Sequence, residues 1–315
     1  MNPEQAFKAL SRNIGHKKRD SLEQTISEDA KSSFRYAKYV IEGRFELGEE
    51  AISQSAIWSY QYAHDVIQGR WELGEAAISK DAFLAFEYAD DVIDGRFELG
   101  EAAICQFADR SCLYATHIIQ GRWEPGEAAI SKNALWSLCY AMDVIQGRWE
   151  PGEAAVCQDA ECSLKYARDV LKRRFKLGEA AICQDAEDAY KYSDQVIKGR
   201  WKLGENVIRS DAQQSYRYAL NVIDGRFQLG EAAIGKSEKY AFLYAKHFSR
   251  EDWTQDLAMM CPCWLYLYAK DVIKGRLPTV LHYTMLRFGM LNSKDKYVKT
   301  YFVSKKYQVK KKAEF

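Results

Sequence analysis

An α-α solenoid, a superhelix of about nine to ten two-helix repeats, is the fold class this sequence predicts. Three observations predict it. The signature Y-A-x-x-V-I-x-G-R-[W/F]-x-[L/P]-G-E-x-A-[I/V] recurs every 26 residues; its first glycine falls at Gly43, Gly69, Gly95, Gly121, Gly147, Gly199 and Gly225, with Arg173 in the one vacant slot. Apolar residues inside each unit keep helical spacing. A unit this short cannot bury a core alone, so neighbours must stack into an array. The 315 residues therefore set the number of repeats rather than the number of globular domains.

The stretch from Asp81 to Gln106 shows how one unit is built. Asp81 opens it, and the same slot holds Asp29, Ser55, Asn133, Asp159, Asp185, Asp211 and Ser237, with Phe107 as the exception. Such side chains accept a hydrogen bond from the unpaired amides of a helix's first turn, so the slot is an N-cap. Ala82, Ala85, Phe86, Ala89, Val92 and Ile93 then mark one helix face. Gly95 is expected to stop that helix in a left-handed conformation, after about 13 residues. Pro125 and Pro151 suit the first position of a second, shorter helix, which puts Glu124 and Glu150 at its cap. Glu127 and Glu153 would reach back to the cap amide, and the helix would end near Ile130 or Val156.

Helices this short are marginal alone in water. Ala37, Ala63, Ala89 and Ala115 would let neighbours approach closely. Phe45, Trp71, Phe97, Trp123, Trp149, Phe175, Trp201 and Phe227 would supply one apolar plug per layer.

The sequence divides into an N-terminal helical cap (1–28), eight regular repeats (29–236), degenerate repeats (237–278) and a basic C-terminal cap or tail (279–315). Arg173, in place of a left-handed glycine, is expected to loosen its joint or to be capped differently. The unit from Ser237 loses the signature at Ser249–Asp252; it returns at Tyr268–Arg276, and Pro278 stops it. Lys296–Val303 and Lys306–Val309 alternate polar and apolar residues, predicting a small β-hairpin around Ser304-Lys305, or else a flexible basic tail.

Hydrophobic residues make up 47%, enough for a packed core, and the net charge of +1 gives no global field. The charge is uneven: residues 279–315 carry +7 and the remainder −6. No apolar run approaches the roughly 18 residues that span a membrane, and MNPEQAFKALSRNIGHKKR lacks a signal peptide's apolar core. A cytoplasmic protein is expected. Cys105, Cys157 and Cys183 share one repeat position, which points to small thiols rather than bridges.

The chemistry-bearing residues point away from catalysis. Arginine and glutamate recur five apart, from Arg44/Glu49 and Arg70/Glu75 to Arg226/Glu231. A ladder of arginines for anions would leave them unpaired, whereas here each has a carboxylate, so a structural ion pair is expected. No P-loop or G-x-G-x-x-G occurs, and His16, His64, His117, His247 and His282 share no repeating role. Cys261-Pro-Cys263, flanked by His247 and His282, has poor spacing for one tetrahedral zinc and reads better as a helix start at Pro262.

What varies between copies is more informative. The helix face opposite the core carries Ile57, Trp58, Phe83, Leu84, Leu113, Leu135 and Trp136 in early repeats but Glu161, Glu187, Gln213 and Gln214 in late ones. An apolar stripe on an otherwise solvated face marks a partner-binding surface, here for a protein, unless these side chains pack against the next layer or the second helix. The alternative is nucleic acid at Lys294, Lys296, Lys299, Lys305, Lys306, Lys310, Lys311 and Lys312, with Tyr297, Tyr301, Phe302 and Tyr307 offering rings to stack on bases.

Over residues 29–276 the motif resembles a short helical repeat of proteins from tailed bacteriophages and large DNA viruses. That resemblance implies an all-helical solenoid and a viral origin, while the family's roles are largely undefined; a non-enzymatic scaffold or adaptor gripping a protein, such as a host factor in the host cytoplasm, is the expectation drawn from the apolar stripe. The resemblance implies no cofactor and no catalytic residue.

Overall fold

The computed structural model describes residues 2–11, 19–248, 262–274, 276–291 and 296–303. Among them the fold is all-α, a solenoid-like array of recurring helix pairs with no strand. The chain forms two compact bodies, Met1–Gln158 and Asp159–Phe315.

The first helix of each regular repeat starts with α winding and finishes with a wider π winding, whereas Glu238–Phe248 is α throughout. Ala82–Glu87 is followed by Tyr88–Ile93, and Ala108–Leu113 by Tyr114–Ile119. The predicted N-caps hold at Asp29, Asp81, Asn133, Asp159, Asp185 and Asp211, whose side chains accept first-turn amides. Ser55 and Phe107 make no such bond.

The stop signal differs from expectation. The left-handed residue is the one before the glycine: Asp94 (φ 52°), Gln120 (φ 53°) and their equivalents, while no described glycine has positive φ. Because the last turn is π-wound, Asp94 and Gly95 both donate their N–H to the Ala89 carbonyl, a wider form of the usual C-terminal cap. Arg173 therefore carries no left-handed strain. Its N–H donates to the Ala167 carbonyl at 3.1 Å, as the glycines' N–H do, so the expected loose joint is absent.

The second helices span Glu72–Ile78, Glu124–Ile130 and Glu150–Val156, with Trp71, Trp123 and Trp149 at the cap rather than the glutamates. Here the second glycine of the motif is the constrained one. A Cβ at Gly126 would lie 2.7 Å from both Ser111 Cβ and the Trp123 ring, and one at Gly100 2.7 Å from Ala85 Cβ and 2.6 Å from the Phe97 ring. The short helix packs its glycine flat against its own aromatic plug and the small residue of the first helix opposite. That small residue also closes a carbonyl: Ser59, Ser111 and Ser137 donate to the Ile52, Ile104 and Ile130 carbonyls at 2.9, 3.1 and 2.8 Å. The plugs and the alanines at 37, 63, 89 and 115 are buried as predicted.

The ends are more regular than the sequence suggests. Arg19–Ile26 serves as a second helix for an incomplete leading repeat. Lys296–Val303 is a helix, not a strand: Val298 and Tyr301, three residues apart, share one buried face, a spacing that the polar–apolar alternation conceals. Thr279–Leu291 is helical as well. Ser304-Lys305, Lys306–Val309 and Ser249–Asp252 lie outside the described residues. The helix Pro262–Leu267 begins where the sequence placed it.

Candidate protein-binding surface

The recurring polar residues of the motif are consumed inside the array. Arg122 grips Glu127 with two parallel bonds, Nε to Oε1 at 2.7 Å and a terminal nitrogen to Oε2 at 3.1 Å. Glu127 does not reach the cap amide. Its Oε1 accepts instead from the Tyr140 hydroxyl at 3.1 Å, and that hydroxyl accepts from the Trp123 N–H at 2.9 Å. Tyr140 belongs to the following repeat, so one buried hydroxyl joins two layers, satisfying a helix-end amide and a carboxylate together.

The same relay runs through Tyr62 with Glu49 and Phe45, Tyr114 with Glu101 and Phe97, and Tyr218 with Glu205 and Trp201. These tyrosines are fully buried. Burial pushes the hydroxyls of Tyr88, Tyr140 and Tyr218 up to about 12, with the adjacent carboxylate adding to the shift.

Both ends keep the relay with substitutes. Tyr36 donates to Glu23 at 2.6 Å, and Arg19 holds that carboxylate at 2.8 Å. At the far end Leu277 takes the plug's place and donates its N–H to the Tyr301 hydroxyl, with His282 Nδ1 2.9 Å from the same oxygen. The structural reading of the Arg/Glu pairs therefore holds; the Arg174–Glu179 pair repeats it in the second body.

The predicted stripe separates into two sets. Ile57, Phe83 and Leu135, two residues past each N-cap, stand out from the surface at 48%, 51% and 51% exposure. Trp58, Leu84 and Trp136, at the next position, are only half-buried, because that position leans into the groove between neighbouring layers; Leu113, three residues further along its helix, is half-buried as well. Trp58 packs its ring 5.5 Å from that of Phe34. Between Phe83 and Leu135 the series is broken by Asp109; Arg110 beside it lays its guanidinium 4.4 Å from the Phe83 ring, covering one face.

In the second body the same slot holds the exposed Glu161 and Glu187. The face there is a charged lattice: Lys165 pairs with Glu161 at 2.7 Å and Lys191 with Glu187 at 2.9 Å. Gln213 is half-buried and Gln214 buried, against expectation, since that helix turns its fourth position inward.

Of the lysines read as a nucleic-acid site, Lys296 and Lys299 are exposed on their helix. The other six, Lys294, Lys305, Lys306, Lys310, Lys311 and Lys312, lie outside the described residues. Tyr301, one of the rings expected to stack on bases, is buried in the core and engaged by Leu277 and His282. Tyr307 lies outside the described residues, as do His16 and Cys261.

No group of three or more His, Cys, Asp or Glu among the described residues is arranged to hold a metal ion. Among the described residues Cys105, Cys112, Cys139, Cys157, Cys162 and Cys183 form no disulfide. Burial pushes Cys112 and Cys162 up to about 12, far from a reactive thiolate. No described helix is long and apolar enough to cross a membrane.

The sequence matches no family model, no curated protein and no solved structure.

Two features escaped the sequence reading. The tyrosine relay left one signal: the plug slot exchanges Phe and Trp freely, whereas the slot that opens the motif is Tyr in every repeat, which points to its hydroxyl. The other is a row of exposed leucines, Leu47, Leu73 and Leu99 in the first body and Leu177, Leu203 and Leu229 in the second, each just inside the start of a short helix.

Proposed function

We propose that this chain is a non-enzymatic helical-repeat scaffold that binds a protein partner through the first-helix face of its first body. The observation that carries this reading is the set Ile57, Phe83 and Leu135. Large apolar side chains stand exposed at one equivalent position of different repeats, where the second body carries glutamates. Their burial in the partner would supply the apolar centre of an interface, with Trp58 and Trp136 forming its flanks.

The repeat's resemblance to phage and large-virus proteins supports a viral origin, and for a viral adaptor a host factor is the natural partner. The unbridged cysteines suit the reducing cytoplasm of such a host.

The test is affinity capture with the wild type and with a triple variant, Ile57→Asp, Phe83→Asp and Leu135→Asp, in nuclease-treated extract. Because the three side chains are exposed, the variant should keep its helical circular dichroism while losing bound partner by roughly tenfold or more. Unchanged capture by a folded variant would remove this face as the binding surface. Capture that disappears with nuclease would favour nucleic acid instead.

A further inference from the structure

The edge where first helices turn into second helices carries a periodic row that the relay does not absorb. In the first body Glu46, Glu72, Glu98, Glu124 and Glu150 open the short helices, all exposed, each followed by an exposed Leu or Pro. In the second body the same slot holds Lys176, Lys202 and then Gln228, each followed by an exposed leucine (Leu177, Leu203, Leu229); the preceding turns of the first two add the exposed Lys172, Arg173 and Lys198, and that of the third carries Asp224.

The bodies differ in charge in the same sense. Residues 1–158 carry 16 Lys/Arg against 25 Asp/Glu, net −9, and residues 159–315 carry 29 against 19, net +10. Local stability accounts for the acids, because carboxylates suit a helix N-terminus. It does not account for Lys176 and Lys202, which oppose the positive end of the helix dipole. Among the described residues none of the five cations has an ion-pair partner.

We propose that this edge is a self-association surface: the acidic, leucine-bearing edge of one copy's first body seats on the basic, leucine-bearing edge of another copy's second body. Both edges advance by the same 26-residue repeat, so their charges and leucines recur at a common sequence spacing. The leucines give buried apolar area, and the opposite charges steer the encounter and select the opposite edge over a like one.

Sedimentation velocity on the full chain tests this. The wild type should associate at about 50 mM NaCl and weaken steeply toward about 500 mM, where screening is short-ranged. The acid-edge reversal E46K/E72K/E98K/E124K and the basic-edge reversal K172E/K176E/K198E/K202E should each, alone, associate roughly tenfold less or weaker still. An equimolar mixture of the two should regain association, since the reversed edges complement each other. Circular dichroism reports whether each variant is folded; should a fourfold reversal lose helix, E98K and K202E give the same swap on a smaller scale. A wild type that stays monomeric at low salt, variants that associate like the wild type, or a mixture that stays dissociated would each overturn the proposal.

Discussion

Raising the pH from 10 to 12 should unfold the array cooperatively. In the first body Tyr36, Tyr88 and Tyr140 are held at about 12 against an ordinary value of 10, chiefly by burial. The sign follows directly. The folded state keeps these hydroxyls protonated after the unfolded chain has begun to lose its protons, so stability is complete below pH 10 and falls as the pH climbs toward 12. Each unit of that window removes up to about 1.4 kcal/mol per tyrosine. Several such groups act in the same direction, so the loss accumulates across this window. Cys112, raised by burial to about 12 from 9, acts in the same direction and begins earlier.

The measurement is helical circular dichroism against pH, with tyrosinate absorbance followed in the same sample. Helix loss and the appearance of the buried tyrosinates should coincide. Full ionisation at pH 12 with the helix intact would show that the hydroxyls are not sealed between layers.

The second large effect separates the two glycines of each repeat. Gly126→Ala should destabilise the protein by about 1–3 kcal/mol, because the new methyl meets Ser111 and Trp123 at 2.7 Å and neither can withdraw within a packed layer. Gly121→Ala should be neutral or stabilising by up to about 1 kcal/mol: nothing lies within 4 Å, the φ is not left-handed, and alanine costs the unfolded chain some freedom. Urea unfolding of the two variants beside the wild type decides it. A greater loss at Gly121 than at Gly126 would return the left-handed role to the first glycine.

The glycines show how far the sequence could be read. Both recur with the same period and the same chemistry, and only the packing distinguishes a glycine that meets a ring from one beside open space. The apolar spacing placed the first helix correctly. Over six residues, though, it does not separate α from π winding, and that winding is what moves the left-handed residue forward to Asp94. N-caps, plugs and small residues were legible because each acts within its own repeat. The relay was not, since Tyr140 finds Glu127 and Trp123 across a repeat boundary.

The candidate surface was half legible for a related reason. A helical wheel identifies the outward side of one helix. It does not show that a neighbouring layer covers Trp58 while Ile57 stays free.

The repeated relay has a further consequence. Being the same in each complete layer, it cannot by itself fix which repeat lies beside which. Pairs at the varying positions differ between layers: Lys38 meets Asp65 at 2.7 Å, Tyr60 donates to Asp91 at 3.0 Å, and Asn221 donates to Tyr190 at 2.7 Å. The motif thus holds adjacent layers together, and residues that change between copies add contacts particular to each pair of layers.

Native-state hydrogen exchange on the wild type and on Tyr114→Phe tests that division most directly. In the wild type the Phe97 amide, bonded to the Tyr114 hydroxyl at 2.9 Å, should exchange among the slowest amides outside regular helix. In the variant the ring still fills its space, but Phe97 N–H and Glu101 lose their shared partner, and the amide should exchange about tenfold or more faster, at a stability cost of about 1–3 kcal/mol. Unchanged protection of the Phe97 amide in Tyr114→Phe would mean that the layers are held by apolar packing alone and that the buried relay is incidental.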